Sequence, residues 1–142
     1  MKRILSIAML VLLLCSVVYA QDQTAKKESA KHAAQSWLAL VDRGDYGASW
    51  QEASPFFQSK ISKADWERAL KQVRAPLGAA GSRTLLGAEY QTELPGVPKG
   101  QYVVIQYKTE FVGKGTFVET ITPMLDMDGK WRVSGYFVKP AQ

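Results

Sequence analysis

From Ala30 onward the apolar positions fall at Ala30, Ala33, Ala34, Trp37, Leu38 and Val41. Those are steps of three and four, which describe one face of an α-helix. Asp42-Arg43-Gly44 closes it, with Gly44 suited to the left-handed position after a helix. The polar stretch Gln21 to Lys31 before it is expected to fray. Asp45 then caps a short second helix through Ala53, on which Tyr46 and Trp50 lie one turn apart. Pro55 breaks that helix, and Phe56 and Phe57 are expected to enter the core from the connection. Ser62-Lys-Ala-Asp65 has the form of a capping box, with Asp in place of Glu. It opens a third helix to about Arg74, whose stripe is Trp66, Ala69, Leu70 and Val73.

Beyond Gly81 the period falls from 3.6 to two. Ser82 to Leu94 reads as a first strand, and Pro95 to Gly100 as a turn. Gln101 to Phe111, Thr116 to Asp126 and Trp131 to Lys139 are rich in β-branched and aromatic residues and form three antiparallel strands. Asp128-Gly129 marks a tight hairpin, because its turn needs positive φ. Pairing Leu94 with Gln101, Phe111 with Thr116 and Met127 with Lys130 sorts the side chains into two faces. One face carries Leu86, Ala88, Tyr90, Val103, Ile105, Tyr107, Phe111, Val118, Thr120, Thr122, Met124, Trp131, Val133 and Phe137, and is apolar enough to receive the helices. The other carries Glu89, Gln91, Tyr102, Val104, Gln106, Lys108, Glu119, Ile121, Leu125, Arg132, Tyr136 and Val138. Pro123 falls inside a central strand, where its missing N–H calls for a bulge. The predicted class is α+β, with N-terminal helices packed on one face of a bent antiparallel sheet of about four strands.

Two groups of residues carry a resemblance. Trp37-Leu-Ala-Leu-Val-Asp-Arg-Gly-Asp-Tyr46, then Trp50, then a sheet ending Gly129-Lys-Trp-Arg-Val133, resembles the cone-shaped nuclear-transport-factor-2-like superfamily. Trp50-Gln-Glu-Ala-Ser-Pro-Phe-Phe57, Val73-Arg-Ala-Pro-Leu-Gly78, Glu119-Thr-Ile-Thr-Pro-Met124 and Asp128-Gly-Lys-Trp-Arg-Val-Ser-Gly-Tyr136 are similar to the bacterial family catalogued as domain of unknown function 4019. The resemblance implies a cystatin-like or nuclear-transport-factor-2-like cone and brings no assigned activity. Enzymes of the wider superfamily, such as ketosteroid isomerase and scytalone dehydratase, work between helices and sheet with Asp, His or Tyr. No motif of theirs aligns with this chain, so no catalytic residue is carried over.

The start of the chain changes the picture. Lys2-Arg3, the apolar run Ile4 to Val18 and Val18-Tyr19-Ala20 have the three parts of a secretory signal peptide. Residues 1–20 are therefore expected to be removed, leaving residues 21–142 as one α+β domain in the periplasm or secreted, with no stable membrane anchor. Cys15 lies inside the apolar run behind Leu14, which does not suit a lipoprotein signal, so the exported part has no cysteine. Without the leader, the net charge of +5 falls to about +3, too mild and dispersed for nucleic acid.

Candidate chemistry is sparse. His32 is the single histidine and lies near a frayed helix end, so it is expected at the surface. With no cysteine beside it, neither a metal site nor a cofactor is expected. Asp126-x-Asp128-Gly129 begins like a calcium loop but lacks the ligands that should follow. Trp50, Tyr90, Tyr107, Thr120 and Thr122 are the ligand-pocket candidates, being hydroxyls and an indole on an otherwise apolar face. No carboxylate falls on that face. The reading is a non-catalytic module that binds an unknown small ligand or an envelope protein. The alternative is an isomerase- or dehydratase-like enzyme using the pocket between helices and sheet. Tyr102, Val104, Ile121, Leu125, Tyr136 and Val138 are the candidates for a homodimer interface on the outer sheet face.

Overall fold

The computed structural model describes the backbone of residues 2–142 and the side chains of residues 20–142. The signal-peptide reading of residues 1–20, and Cys15 with it, falls on side chains outside the described residues. Helix α1 runs Lys2–Asp42, α2 Tyr46–Gln51, α3 Pro55–Lys60 and α4 Lys63–Arg74, and a 3₁₀ turn follows at Ala75–Leu77. Strands β1 Ala80–Gln91, β2 Tyr102–Phe111, β3 Gly115–Leu125 and β4 Trp131–Pro140 form one antiparallel meander in sequence order. The class is α+β, as expected.

The local signals account for the helix ends. Asp45 accepts from the Ala48 N–H at 3.3 Å, and Ser62 from the Asp65 N–H at 3.1 Å. The stretch Gln21 to Lys31 is helical where the sequence suggests fraying. Its Lys, Glu, Gln and Ala residues favour helix, and Lys26–Asp22 and Lys31–Glu28 each pair one turn apart at 2.7 and 2.6 Å. Helix α3 replaces the expected connection. Ser54 caps it, Pro55 occupies its first turn, and only Phe57 of the two phenylalanines is buried.

Ser49, wholly buried, ties three helices together. Its carbonyl accepts the Trp37 indole N–H at 2.7 Å, and its hydroxyl accepts that of Trp66 at 2.9 Å. Trp37, Trp66, Leu38, Val41 and Leu70 then close over Val103, Ile105, Ile121 and Val133 of the sheet.

The sheet registers differ from expectation at two places that matter. The far half of β1 is displaced by two residues, so that Tyr90 faces Val103 instead of Ile105, and Ala88 and Tyr90 keep their expected face. A bulge between Leu85 and Gly87 turns the near half over, so Arg83 faces the helices beside Thr109 and Leu86, expected inside, is 54% exposed. Between β2 and β3 the shift is one residue, because Phe111 pairs with Gly115 instead of Thr116. Gly115 takes φ +88°, which lets it serve as a strand residue directly after the turn. An odd shift turns β3 over. Glu119, Ile121 and Pro123 face the helices, and Val118, Thr120, Thr122 and Met124 face away.

Strand β4 keeps the expected pairs Thr120–Phe137 and Ile121–Tyr136, so its far half turns over with β3. The bulge expected at Pro123 is present. Thr122 faces Gly135 while Pro123 faces Val133, which leaves Ser134 as the extra residue, its hydroxyl donating to the Thr122 carbonyl at 2.7 Å. That one residue restores Trp131 and Val133 to the helix side.

Candidate functional site

Turning β3 over places a carboxylate under the helices, where the expected register puts none. Glu119 is fully buried. Its Oε1 accepts from Arg74 Nη1 at 2.9 Å and from the Tyr136 hydroxyl at 2.6 Å. Its Oε2 accepts from Arg83 Nε at 2.7 Å and from the Thr109 hydroxyl at 2.6 Å. Asp42, at the end of α1, completes the cluster. It takes Arg74 Nη2 at 2.8 Å and both terminal nitrogens of Arg83 at 2.6 and 2.7 Å. The Arg74 guanidinium also lies over the Phe111 ring, 4.7 Å from its centroid.

The electrostatics follow from this geometry. Burial alone would raise the Glu119 carboxyl, but hydrogen bonds from Arg83, Thr109 and Tyr136 outweigh it and hold it below its ordinary value. Asp42 is lowered in the same way by Arg83 and Arg74, against the effect of burial. Burial and the adjoining Glu119 charge push the Tyr136 hydroxyl well up, so it remains a donor. A buried carboxylate against a tyrosine is what an acid–base enzyme of this shape needs. Here each carboxylate oxygen already accepts two close donors, and no lone pair is left for a substrate proton. The cluster joins α1, α4 and all four strands, and its chemistry is that of a structural tie.

The sequence-predicted pocket residues are not brought together. Trp50 donates its indole N–H to the Ile61 carbonyl at 2.8 Å and packs on the core edge. Tyr90 donates to the Gln101 side chain at 3.0 Å. Thr120 and Thr122 face away from the helices, on the turned strand. Tyr107 alone lines a hollow, beside α1. The interface candidates are scattered for the same reason. Ile121 is in the core, Tyr136 belongs to the polar cluster, and Val138 and Leu125 share the helix side. Tyr102 is outward but buried under its own loop, where its hydroxyl donates to the Pro98 carbonyl at 2.6 Å. Val104 is the one candidate left half-exposed on the outer face; Phe137, expected inside, is 62% exposed there.

A cleft of about 520 Å³ opens between α1 and the β3–β4 turn. Trp37, Leu40, Ala33 and Val133 form its floor, with Glu52, Lys130 and Arg132 at the rim. The half-buried Trp131 divides it from a shallower hollow that reaches Glu28 and His32. Arg132 is held by Asp126 at 2.7 Å and Asp128 at 2.8 Å, and this contact draws the Asp128 carboxyl down to about 2. Three tryptophans anchor their indole N–H on Ser49 or Ile61, but that of Trp131 has no partner among the described residues. His32 is exposed, and no group of three metal-ligating side chains occurs among the described residues.

Sequence reasoning misses the cluster because its members come from distant positions. Glu119 lies 45 residues from Arg74 and 36 from Arg83. The one available signal is Arg74, one turn beyond Leu70 on the helical stripe; strand periodicity directs Arg83 outward, and the bulge between Leu85 and Gly87 turns it in.

A solved 2.5 Å structure from Catenulispora acidiphila is similar in fold, with a TM-score of 0.55 and 11% identity over 84% of this chain and 94% of that one. At that identity the likeness concerns the fold alone. No curated protein matches. Residues 33–136, well over half of the chain, match the family described as Protein of unknown function (DUF4019), and the chain belongs to that family.

Proposed function

We propose that this is an exported, non-catalytic binding domain whose ligand lies in the cleft between α1 and the β3–β4 turn. The observation that carries the reading is Trp131, a large aromatic that lines open space on two sides and leaves its indole N–H free. The other three tryptophans in this domain satisfy that group within the fold, whereas that of Trp131 is left open for an outside acceptor. An aromatic platform over an apolar floor, with Lys130 and Glu52 at the edge, suits a small ligand that has one flat apolar face and one polar, hydrogen-bonding edge. The saturation of Glu119 speaks against the isomerase- or dehydratase-like alternative. Lys2-Arg3, the apolar run after them and Val18-Tyr19-Ala20 support export.

The test uses the four indole N–H signals in a nitrogen-edited NMR spectrum of protein produced from the full chain. A fragment library with flat apolar rings and polar edges is expected to shift the Trp131 signal and leave those of Trp50 and Trp66 in place. Trp131→Ala should abolish these shifts while keeping the fold, since the side chain is only half-buried. Hits that move other signals instead, or that persist in Trp131→Ala, would overturn the assignment.

A further inference from the structure

A separate hollow of about 310 Å³ lies on the other flank of α1, where the helix crosses the start of β1 and the later half of β2. Leu38 and Ala39 supply an apolar wall, and Gln35, Asp42, Arg83 and Tyr107 supply polar groups. Tyr107 is only 5% exposed, and its buried hydroxyl has no partner among the described residues. A buried hydroxyl without a partner costs stability, and phenylalanine would fill the same space without that cost. Stability therefore does not account for the hydroxyl.

The neighbouring groups define what it can meet. Of the five N–H bonds of Arg83, Nε and Nη2 spend theirs on Glu119 and Asp42, and Nη1 spends one on Asp42. One Nη1 N–H remains. Asp42 Oδ2 accepts only from Arg83 and is partly open to solvent. The site thus offers two donors and one anionic acceptor. Around it, Arg74 and Arg83 cancel Asp42 and Glu119, so an ion of either sign meets no net attracting charge. A net-neutral molecule that carries both signs suits this arrangement.

We infer that the hollow binds a small zwitterion of the α-amino-acid type. Its carboxylate takes the Tyr107 O–H and the remaining Arg83 N–H, its ammonium lies against Asp42 Oδ2, and its side group rests on Leu38 and Ala39. The site is independent of the Trp131 cleft and stands or falls without it.

Alanine is the probe, with acetate and methylammonium as controls, titrated into protein produced from the full chain and followed on the Leu38 and Ala39 amide signals by NMR. Alanine is expected to give saturable shifts with a Kd of about 1 mM, and each single-charge control to bind at least about tenfold more weakly. Tyr107→Phe should weaken alanine by about tenfold or more without lowering Tm, since it removes a hydroxyl that nothing in the fold uses. No saturation by about 50 mM alanine, or equal binding of acetate, overturns the inference. So does a Tyr107→Phe protein that binds alanine unchanged, or one that melts lower, which would make the hydroxyl structural.

Discussion

Replacing Glu119 with Gln removes one negative charge and changes almost nothing in shape. In the native cluster the two carboxylates balance Arg74 and Arg83, and Glu119 receives contacts of 2.9, 2.7, 2.6 and 2.6 Å. In the variant both guanidiniums depend on Asp42 alone, and the amide must point its NH₂ at one pair of donors. Removing one partner of a buried ion pair costs about 3–5 kcal/mol, because the remaining charge stays buried without compensation. Against a total stability of about 5–15 kcal/mol, that is about a fifth or more of the whole. For a domain of this size it corresponds to a fall in Tm of about 10–20 °C. Urea unfolding followed by tryptophan fluorescence at pH 7 measures it, with a lower midpoint and an unchanged slope.

The same substitution alters the response to acid. Glu119 and Asp42 are both held below their ordinary values, so their contribution is complete above about pH 4.3, the unfolded glutamate value. It is lost as pH falls through the lower folded values, where the unfolded chain binds more protons than the native one. Parent stability should therefore be flat near neutrality and fall below about pH 4.3, and Glu119→Gln should fall less steeply. A cost under about 1 kcal/mol at pH 7, the worth of a surface pair, would refute the buried, fully paired cluster.

Two further outcomes follow from the packing. Ser49→Ala leaves the Trp66 indole N–H without its acceptor at 2.9 Å and should cost about 1–3 kcal/mol in the same urea assay; no measurable loss would remove Ser49 as the helix tie. Ile121→Lys places an ammonium where the side chain is 0% exposed and should prevent folding or cost more than about 4 kcal/mol, whereas Phe137→Lys should stay within about 0.5 kcal/mol of the parent; circular dichroism and melting curves of the pair test the register, and the reverse ranking would contradict it.

The class and most element positions are legible in the sequence because they rest on local chemistry. Steps of three and four from Ala30, the Ser62 cap, the Asp128-Gly129 turn and the strand at Pro123 that needs a bulge are all short-range signals. The error of one residue between β2 and β3 arises at Val112-Gly-Lys-Gly115, where either glycine can close the turn and neither flank decides. Alternation in β3 does not correct it. Val118, Thr120 and Thr122 on one side stand against Glu119, Ile121 and Pro123 on the other, so both faces look half-polar. Only the pairing of Glu119 with arginines 45 and 36 positions away selects the observed face. The site suffers from the same slip. It sends Thr120 and Thr122 to the wrong side.

Ser134 gives β4 a joint between two phases. On one side of it Trp131 and Val133 point to the helices, and on the other Tyr136 and Val138 do so. The step from Val133 to Tyr136 is odd, where a regular strand would keep it even. Length therefore matters more at this position than side-chain identity. A substitution of Ser134 loses one hydrogen bond to Thr122, but deleting the residue forces a choice: either the Trp131 platform or the Tyr136 contact to Glu119 must rotate to the outside. The cleft beside Trp131 and the polar cluster, which meet where Trp37 packs on Tyr136 at 5.4 Å between ring centres, are in this sense set by a single inserted residue.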